Sequence, residues 1–218
     1  MTITNELLEE LTNAYGPSGF EGPVRDIMRR ELGPLSDHIE VDGIGSLIAR
    51  KDGTSDSPRI MIAAHMDEVG LMVKYVTDEG YIKFQTLGGW LDSAMVGQRW
   101  VILTQKGPVH GITGMKTVHV MTPEERTAGF KRDDMFLDVG AKNKEHAEVL
   151  LGVRPGDPIA PDSKFEALNG SDFESFEVVD ASDKLVSPGL INSHTHSVLL
   201  VLKGTVEDIE GNLVYQYM

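Results

Sequence analysis

The 218-residue sequence contains no cysteine. Disulfide bonds and thiolate metal sites are therefore excluded, and any metal ion must be bound by histidine and carboxylate side chains. Long hydrophobic runs are also missing, since no apolar stretch reaches the roughly 18 residues of a membrane-spanning helix. The acidic, amphipathic start of the chain lacks the basic flank and apolar stretch of a signal peptide. These absences predict a cytoplasmic protein with no membrane association.

Positive charge is scarce as well. Lysine and arginine together number 20 against 34 acidic residues, and the formal net charge is -14. Such a balance disfavours binding to the phosphate backbone of nucleic acids and to anionic lipid surfaces. The hydrophobic content of 40% is sufficient for a core, and the length suits one large domain or two small ones. We therefore expect a globular protein that binds neither nucleic acid nor membrane.

The first part of the chain has the pattern of an α/β protein. Leucines at helical spacing predict a helix over residues 4–14, and Pro23 opens a second helix that ends near Leu32. Short β-type runs follow, separated by Gly- and Pro-rich turns. The last of them, "RIMIAAHM" at residues 59–66, is almost entirely apolar and predicts a buried central strand.

From residue 71 to about residue 165 the sequence changes to many short apolar runs separated by turns. Regular turns at this spacing favour a small barrel or sandwich. One helix is predicted within this region, over "KNKEHAEVLLG" at residues 142–152. The two tryptophans, Trp90 and Trp100, are interpreted as core or interface residues. Three histidines of this region are interpreted as ordinary surface or core residues: His110, His119 and His146.

One short motif carries candidate chemistry. In "IAAHMDEVG", residues 62–70, His65 and Asp67 stand two residues apart at the end of the apolar run. Such a pair can supply a metal site at a strand end, but a divalent metal held by protein side chains needs about three or four donors. By composition alone a single His-x-Asp is more often a structural feature than a metal site.

A longer set of motifs resembles the M42 family of metallo-aminopeptidases. It comprises, in order, "GPSGFEGPVRDIMRREL", "VDGIGSLIARKDG", "IMIAAHMDEVGLMV", "GGWLDSAMVGQRW", "HVMTPEERT" and "MFLDVGAKNKEHAEVLLGVRPGDPI". The resemblance runs from about residue 5 to residue 169. It implies an α/β catalytic unit that carries two metal ions, interrupted by a β-rich insert that drives self-association. The catalytic part would then occupy residues 1–68 and the insert residues 69–165.

The resemblance also implies roles for individual residues. His65 matches a metal ligand of the family, and Asp67 matches the catalytic acid that orients that ligand. The metal would be zinc, cobalt or manganese, and the substrate a peptide hydrolysed at its N-terminal bond. The family further requires a bridging aspartate, a Glu-Glu pair, another acid and a final histidine. After Gly170 the chain has no adjacent Glu-Glu and no Asp-Asp-Arg or Asp-Asn-Arg block, which predicts weak or absent activity.

The C-terminal segment resembles a different family. Residues 178–204, "VVDASDKLVSPGLINSHTHSVLLVLKG", are similar to the entry of an amidohydrolase-superfamily domain. In that superfamily both histidines of the His-x-His motif bind metal at the mouth of a (β/α)₈ barrel, and His194 and His196 match this motif. Such a barrel needs about 200 residues, so residues 166–218 are expected to form only a short β segment.

Three functions remain open from the sequence. The first is a metallo-aminopeptidase fragment, weakly active or inactive. The second is a non-catalytic assembly protein that forms homo-oligomers through the β-rich insert. The third is a chimeric metal-binding protein, in which the histidines of the His-x-His motif meet His65 and Asp67. Independently of these three, the apolar residues 190–202 are expected to be buried against the α/β part, by pairing with its sheet or packing on the exposed face of that sheet.

Overall fold

The computed structural model describes residues 5–55, 61–117, 119–124 and 131–166. The chain divides into two compact units. The described part of the first, the α/β unit, comprises residues 5–14, 21–55, 61–67 and 164–166. The second, the barrel unit, comprises residues 15–20 together with the described residues between 68 and 163.

The two helices predicted at the start of the α/β unit are confirmed. Helix α1 spans Asn5–Asn13 and helix α2 spans Gly22–Leu32, where Pro23 lies in the first turn. Proline is tolerated there because its missing N–H would have no intrahelical partner. Each helix buries one apolar residue, Leu11 in α1 and Ile27 in α2. A 3₁₀ turn over Gly33–Leu35 continues directly from α2.

A two-stranded antiparallel hairpin follows. Strand β1 is His38–Val41 and strand β2 is Leu47–Arg50. In the connecting loop the backbone N–H of Ser46 donates to the Asp42 carboxylate at 2.8 Å, and this bond is the main cause that lowers the pKa of Asp42 from its usual value. Gly45 adopts a left-handed φ of 96°. The loop therefore closes through an Asx-type turn followed by a glycine.

The buried central strand predicted over residues 59–66 is wrong for the part that the structure describes. Residues 61–67 form no strand, and Met61 and Ile62 are 88% and 46% exposed. A hydrophobic run becomes a strand only when a neighbour supplies its backbone hydrogen bonds. In the described part of the α/β unit the strands β1 and β2 pair with each other alone.

The barrel unit is a closed antiparallel barrel, with strands in the order β3-β4-β7-β6-β5-β8. Of the two architectures predicted for this region, the structure therefore has the barrel. Closure removes sheet edges, so each strand has two neighbours. The six strands are β3 (Gly70–Val76), β4 (Ile82–Leu87), β5 (Arg99–Thr104), β6 (Gly107–Gly114), β7 (Phe136–Asp138) and β8 (Pro158–Pro161).

The barrel interior is filled by apolar side chains from strands β3, β4, β5, β7 and β8. Trp100, Ile102 and Ile159 are fully buried, as are Leu71 and Leu137. The ring of Trp90 meets that of Trp100 edge to face at 5.0 Å. The indole N–H of Trp90 donates to the carbonyl of Gly70 at 3.1 Å, and that of Trp100 donates to the buried Thr113 hydroxyl. Both tryptophans are thus part of the core, as predicted from the sequence.

Short helical segments also lie in the described part of the barrel unit, among them a 3₁₀ turn at Arg132–Asp134. Helix α3 spans Asp92–Met95 and buries Met95. The helix predicted over residues 142–152 is shorter, and its last turn, His146–Leu150, is a π-helix. The amide of Leu151 donates to the carbonyl of His146 at 3.0 Å, five residues earlier, so the turn is wider than an α-helix.

The side chain of Arg132 makes hydrogen bonds to three residues of the barrel unit. Its guanidinium donates to the Asp92 carboxylate at 2.6 and 2.9 Å, to the Thr86 hydroxyl at 2.9 Å and to the Trp90 carbonyl at 3.0 Å. These partners lie at the end of β4, in the following loop and at the start of α3. The arginine therefore fixes the loop that carries Trp90.

None of the helices in the described residues has the length and apolar character needed to span a membrane.

Candidate functional site

The His65–Asp67 pair lies at the end of residues 61–67 of the α/β unit, which form no strand. The Nδ1 atom of His65 is 2.9 Å from the Asp67 carboxylate oxygen Oδ1 and 3.0 Å from the Asp67 carbonyl. Both partners are acceptors, so Nδ1 must carry the hydrogen and donate. The neutral ring then keeps its free lone pair on Nε2. The side chains of His65 and Asp67 are 53% and 37% exposed.

This geometry suits one ligand of a metal ion. A carboxylate that accepts the Nδ1 hydrogen fixes the tautomer and raises the basicity of Nε2, which is the usual arrangement around metal-bound histidine. Asp67 follows His65 by two residues, so the contact between their side chains is local in the chain. The arrangement can therefore present a single oriented nitrogen donor.

A complete metal site is not formed by the residues that the structure describes. Among them, no group of three or more His, Asp or Glu side chains is placed to hold a metal ion. A divalent cation in a protein site takes about three or four protein donors. The described donors alone therefore do not fit a resident metal. The other two histidines predicted as ligands, His194 and His196, lie outside the described residues.

A second histidine–carboxylate pair lies in the barrel unit and was not predicted. The Nδ1 atom of His110 is 3.1 Å from the Asp162 carboxylate, which also accepts a long 3.4 Å hydrogen bond from the Tyr15 hydroxyl. His110 is 66% exposed and Asp162 only 18%. The three residues are far apart in the chain, so no sequence motif could reveal them. Through Asp162, which directly follows strand β8, the cluster links Tyr15 and His110; we interpret this as a structural contact.

The residue after Asp67 makes another such connection. The Glu68 carboxylate accepts the backbone N–H of Gly16 at 2.9 Å, and the Glu68 amide donates to the Gly16 carbonyl at 2.9 Å. Pro17 and Glu68 also form a parallel bridge. Residues 15–20 are therefore held beside the start of β3, within the barrel unit.

The other two histidines of the barrel unit form no site in the described residues. His119 is exposed. The Nδ1 atom of His146 accepts the amide hydrogen of Lys142 at 3.1 Å, and its own amide donates to the Asn143 side chain at 2.9 Å. These contacts cap the short helix that contains His146.

Comparison with known proteins places the chain in a family. The family model described as M42 glutamyl aminopeptidase matches residues 45–180, and a second model, described as AMPT, matches residues 2–28. The first match covers more than half of the sequence and includes both the His65–Asp67 pair and the barrel. The chain belongs to the M42 glutamyl aminopeptidase family.

Individual relatives agree with this assignment. FrvX of Escherichia coli (strain K12) is 38% identical over 209 residues, which is 95% of this chain and 54% of FrvX. A TET aminopeptidase structure from the archaeon Thaumarchaeota archaeon SCGC AB-539-E09 has a TM-score of 0.72 at 44% identity, covering 75% of this chain and 46% of that one. The PhTET1-12s structure, described as a dodecamer, has a TM-score of 0.65 at 34% identity, covering 78% and 48%.

The chain spans about half the length of the relatives it matches. A further, short similarity concerns another class of enzyme. The 5-methylthioadenosine/S-adenosylhomocysteine deaminase of Acetivibrio thermocellus is 41% identical over 61 residues, which is 28% of this chain and 14% of the deaminase.

Proposed function

We propose that this chain contains the first part of an M42-type metallo-aminopeptidase, an enzyme that removes N-terminal residues from peptides. Residues 1–68 would form the first part of its catalytic unit, residues 69–165 an inserted barrel, and residues 166–218 a separate C-terminal segment. The observation that carries the proposal is the His65–Asp67 pair, held at 2.9 Å inside the region matched by the family.

Within this proposal the chain's own residues have limited roles. His65 would offer Nε2 to a zinc, cobalt or manganese ion, and Asp67 would hold the imidazole in that tautomer. Metal ions at such a site polarise the scissile carbonyl and generate hydroxide. A general base and further ligands are also needed, and among the described residues no group of three or more His, Asp or Glu side chains is placed to hold a metal ion. We therefore propose that the chain by itself is weakly active or inactive.

The test is an assay of the purified chain on leucyl and glutamyl anilides, with zinc, cobalt or manganese added in turn. We expect release no faster than in the His65→Ala variant, together with less than one tightly bound metal per chain by elemental analysis. Robust cleavage that a chelator abolishes, and that His65→Ala removes while His110→Ala retains it, would overturn the proposed inactivity and support the aminopeptidase assignment. Tight metal binding lost in His194→Ala or His196→Ala, and unaffected by His65→Ala, would instead support an amidohydrolase-like site.

A second candidate function is a non-catalytic, oligomerising protein. It is favoured by the closed barrel, which is intact in the described residues, and by the similarity to a structure described as a dodecamer. Several large apolar side chains of the barrel unit are also exposed, among them Leu91, Val149 and Leu150. Exposed apolar groups of this kind are found at protein interfaces.

We expect the chain to form dimers or larger assemblies at micromolar concentration. Light scattering coupled to size exclusion measures the mass directly, and dilution tests whether the assembly is reversible. A mass equal to one chain at all concentrations would contradict self-association. A cytoplasmic location is part of the same proposal, and it is tested by fractionating cells that express the chain.

A further inference from the structure

The peptide group that joins Asp67 to Glu68 is hydrogen-bonded at both of its ends. Its carbonyl oxygen, which belongs to Asp67, lies 3.0 Å from Nδ1 of His65. Its N–H, which belongs to Glu68, donates to the carbonyl of Gly16 at 2.9 Å. Because a peptide group is planar, its carbonyl and its N–H turn together. A contact that fixes the direction of the Glu68 N–H therefore also fixes the direction of the oxygen that faces His65.

Gly16 is held in turn by the side chain of Glu68. The Glu68 carboxylate accepts the Gly16 backbone N–H at 2.9 Å, and the Glu68 N–H donates to the Gly16 carbonyl. We call this reciprocal pair of hydrogen bonds the Gly16–Glu68 clamp. Gly16 is buried and Glu68 is partly buried. Burial strengthens both bonds, because water competes less for the same groups.

The barrel unit gives the clamp a rigid support. Pro17, which follows Gly16, is fully buried and packs beside the first residue of β3. The chain then turns, so that the Phe20 N–H donates to the Pro17 carbonyl at 2.8 Å. Gly19 has a left-handed φ of 88° in this turn, a conformation that glycine adopts without strain. The backbone around Gly16 is therefore constrained by packing as well as by hydrogen bonds.

The side chain of Asp67 is a weaker support for the imidazole. The side chains of His65 and Asp67 are 53% and 37% exposed. Exposed pairs contribute little by themselves, because water screens them and both side chains must be ordered. The Asp67 carbonyl is a second acceptor for the same Nδ1 hydrogen. As a backbone group of fixed direction, it orients the ring without any loss of side-chain entropy of its own.

We propose that Glu68 is a positioning residue for His65. Through the Gly16–Glu68 clamp it fixes the Asp67–Glu68 peptide group, and the carbonyl of this group keeps the imidazole hydrogen on Nδ1 and the lone pair on Nε2. Two hydrogen bonds that share one peptide group also polarise each other, which strengthens both. The use of an oriented Nε2 rests on the function proposed above, whereas the chain of hydrogen bonds requires neither a metal ion nor activity.

The test measures which ring nitrogen of His65 carries the hydrogen. Nitrogen NMR chemical shifts report this in the full chain, treated with a chelator and held at about pH 9, where a histidine is ordinarily neutral. The His65→Ala spectrum identifies the signals. All other samples carry Asp67→Ala, which removes the carboxylate, so that the contribution of the Asp67 carbonyl is measured.

Three substitutions of Glu68 are compared in that background. Glu68→Ala removes the acceptor for the Gly16 N–H. Glu68→Gln keeps an acceptor oxygen at the same reach but removes the charge. Glu68→Asp keeps the charge but shortens the side chain by one methylene group. The last two are matched, because each retains one of the two properties of the glutamate.

With Glu68 intact we expect the hydrogen mainly on Nδ1. Glu68→Ala and Glu68→Asp should lower the ratio of the Nδ1–H form to the Nε2–H form by about threefold or more, as expected for the loss of one hydrogen bond. Glu68→Gln should preserve the ratio. A ring that is mainly Nε2–H with Glu68 intact, or equal ratios in Glu68→Ala and Glu68→Gln, would overturn the proposal. Retention in Glu68→Asp with loss in Glu68→Gln would show that charge sets the tautomer, and would also overturn it.

Hydrogen exchange separates this local effect from a general loss of structure. The amides of residues 16 and 68 should exchange about tenfold faster in Glu68→Ala than in Glu68→Gln, while the amides of β5 stay unchanged. Faster exchange of the two amides without a change at His65 would show that the clamp does not position the ring. Unchanged exchange would show that Glu68 does not maintain the clamp. Either result contradicts the proposal.

Two other outcomes are covered by the same design. If Glu68→Ala does not fold, the comparison of Glu68→Gln with Glu68→Asp decides alone. A chain that cleaves no peptide with any added metal would count against the aminopeptidase assignment and leave the tautomer measurements as they are. The two proposals therefore fail separately.

Discussion

Replacing Trp100 with alanine is expected to lower the free energy of unfolding of the barrel unit by about 3–5 kcal/mol, the usual range for deleting a buried large aromatic side chain. Trp100 is fully buried, and its ring packs edge to face on Trp90. Its indole N–H also donates to the Thr113 hydroxyl, which is only 3% exposed. The truncation therefore leaves both a cavity and a buried hydroxyl without its partner.

Urea unfolding followed by far-ultraviolet circular dichroism measures this loss. Trp100→Phe keeps most of the volume and is expected to cost less than Trp100→Ala. Tyr75→Ala removes an aromatic ring that is 47% exposed, so it is expected to cost about 1 kcal/mol or less. If Trp100→Ala and Tyr75→Ala unfold at the same urea concentration, the indole does not have the central role in the core that we assign to it.

The second large effect is expected for Gly70→Ala, at the first residue of β3. A Cβ at this position would lie 2.7 Å from the backbone carbonyl oxygen of Ile159 and 3.1 Å from the Cβ of Pro17. The first of these atoms belongs to strand β8, which pairs with β3 at the next residue. Because a backbone atom cannot rotate away, the two strands must separate, and overpacking of this kind costs about 1–3 kcal/mol or more.

Gly89→Ala is the matched control for that substitution. No heavy atom lies within 4 Å of the Cβ that it would add, and Gly89 is exposed. Its free energy of unfolding is expected to change by less than about 1 kcal/mol in either direction. Hydrogen exchange of β3 and β8 should rise in Gly70→Ala and stay unchanged in Gly89→Ala. Equal stability of the two variants would show that β3 and β8 are not closely paired at Gly70.

The two substitutions also bear on function, because the barrel begins directly after the candidate site. Gly70 follows Asp67 by three residues, and Trp90 donates a hydrogen bond to the Gly70 carbonyl. If assembly depends on the barrel, the mass measured by light scattering should fall in Trp100→Ala as the barrel loosens. The matched variant Tyr75→Ala tests whether that fall follows from core damage or from the loss of an exposed ring.

Local patterns in the sequence predicted several elements correctly. Helices α1 and α2 follow from leucine spacing and from the position of Pro23, because helix formation depends on neighbours within one or two turns. The succession of turns between residues 71 and 165 predicted a barrel or sandwich for the same kind of reason. The choice of a closed barrel was not available from these patterns, since closure depends on pairing between β3 and β8, at opposite ends of the unit.

The apolar run before His65 is an element that the local sequence pattern predicted wrongly. Its composition predicted a buried strand, but a strand exists only where another strand accepts its hydrogen bonds, and composition does not identify that partner. The helix that contains His146 differs from its prediction in a smaller way, because its geometry also depends on specific backbone hydrogen bonds. Its apolar residues were identified, whereas the π geometry of the last turn depends on the bond from Leu151 to His146.

By itself the sequence determined the family, through motifs matched in order, and it pointed to His65 and Asp67, whose side-chain contact at 2.9 Å joins residues only two positions apart. Only the tertiary structure decided that the described carboxylates and histidines do not converge on His65. It alone also brought His110 to within 3.1 Å of Asp162. Contacts between residues far apart in the chain depend on which strands pair and how the barrel closes, and local sequence propensity does not determine either.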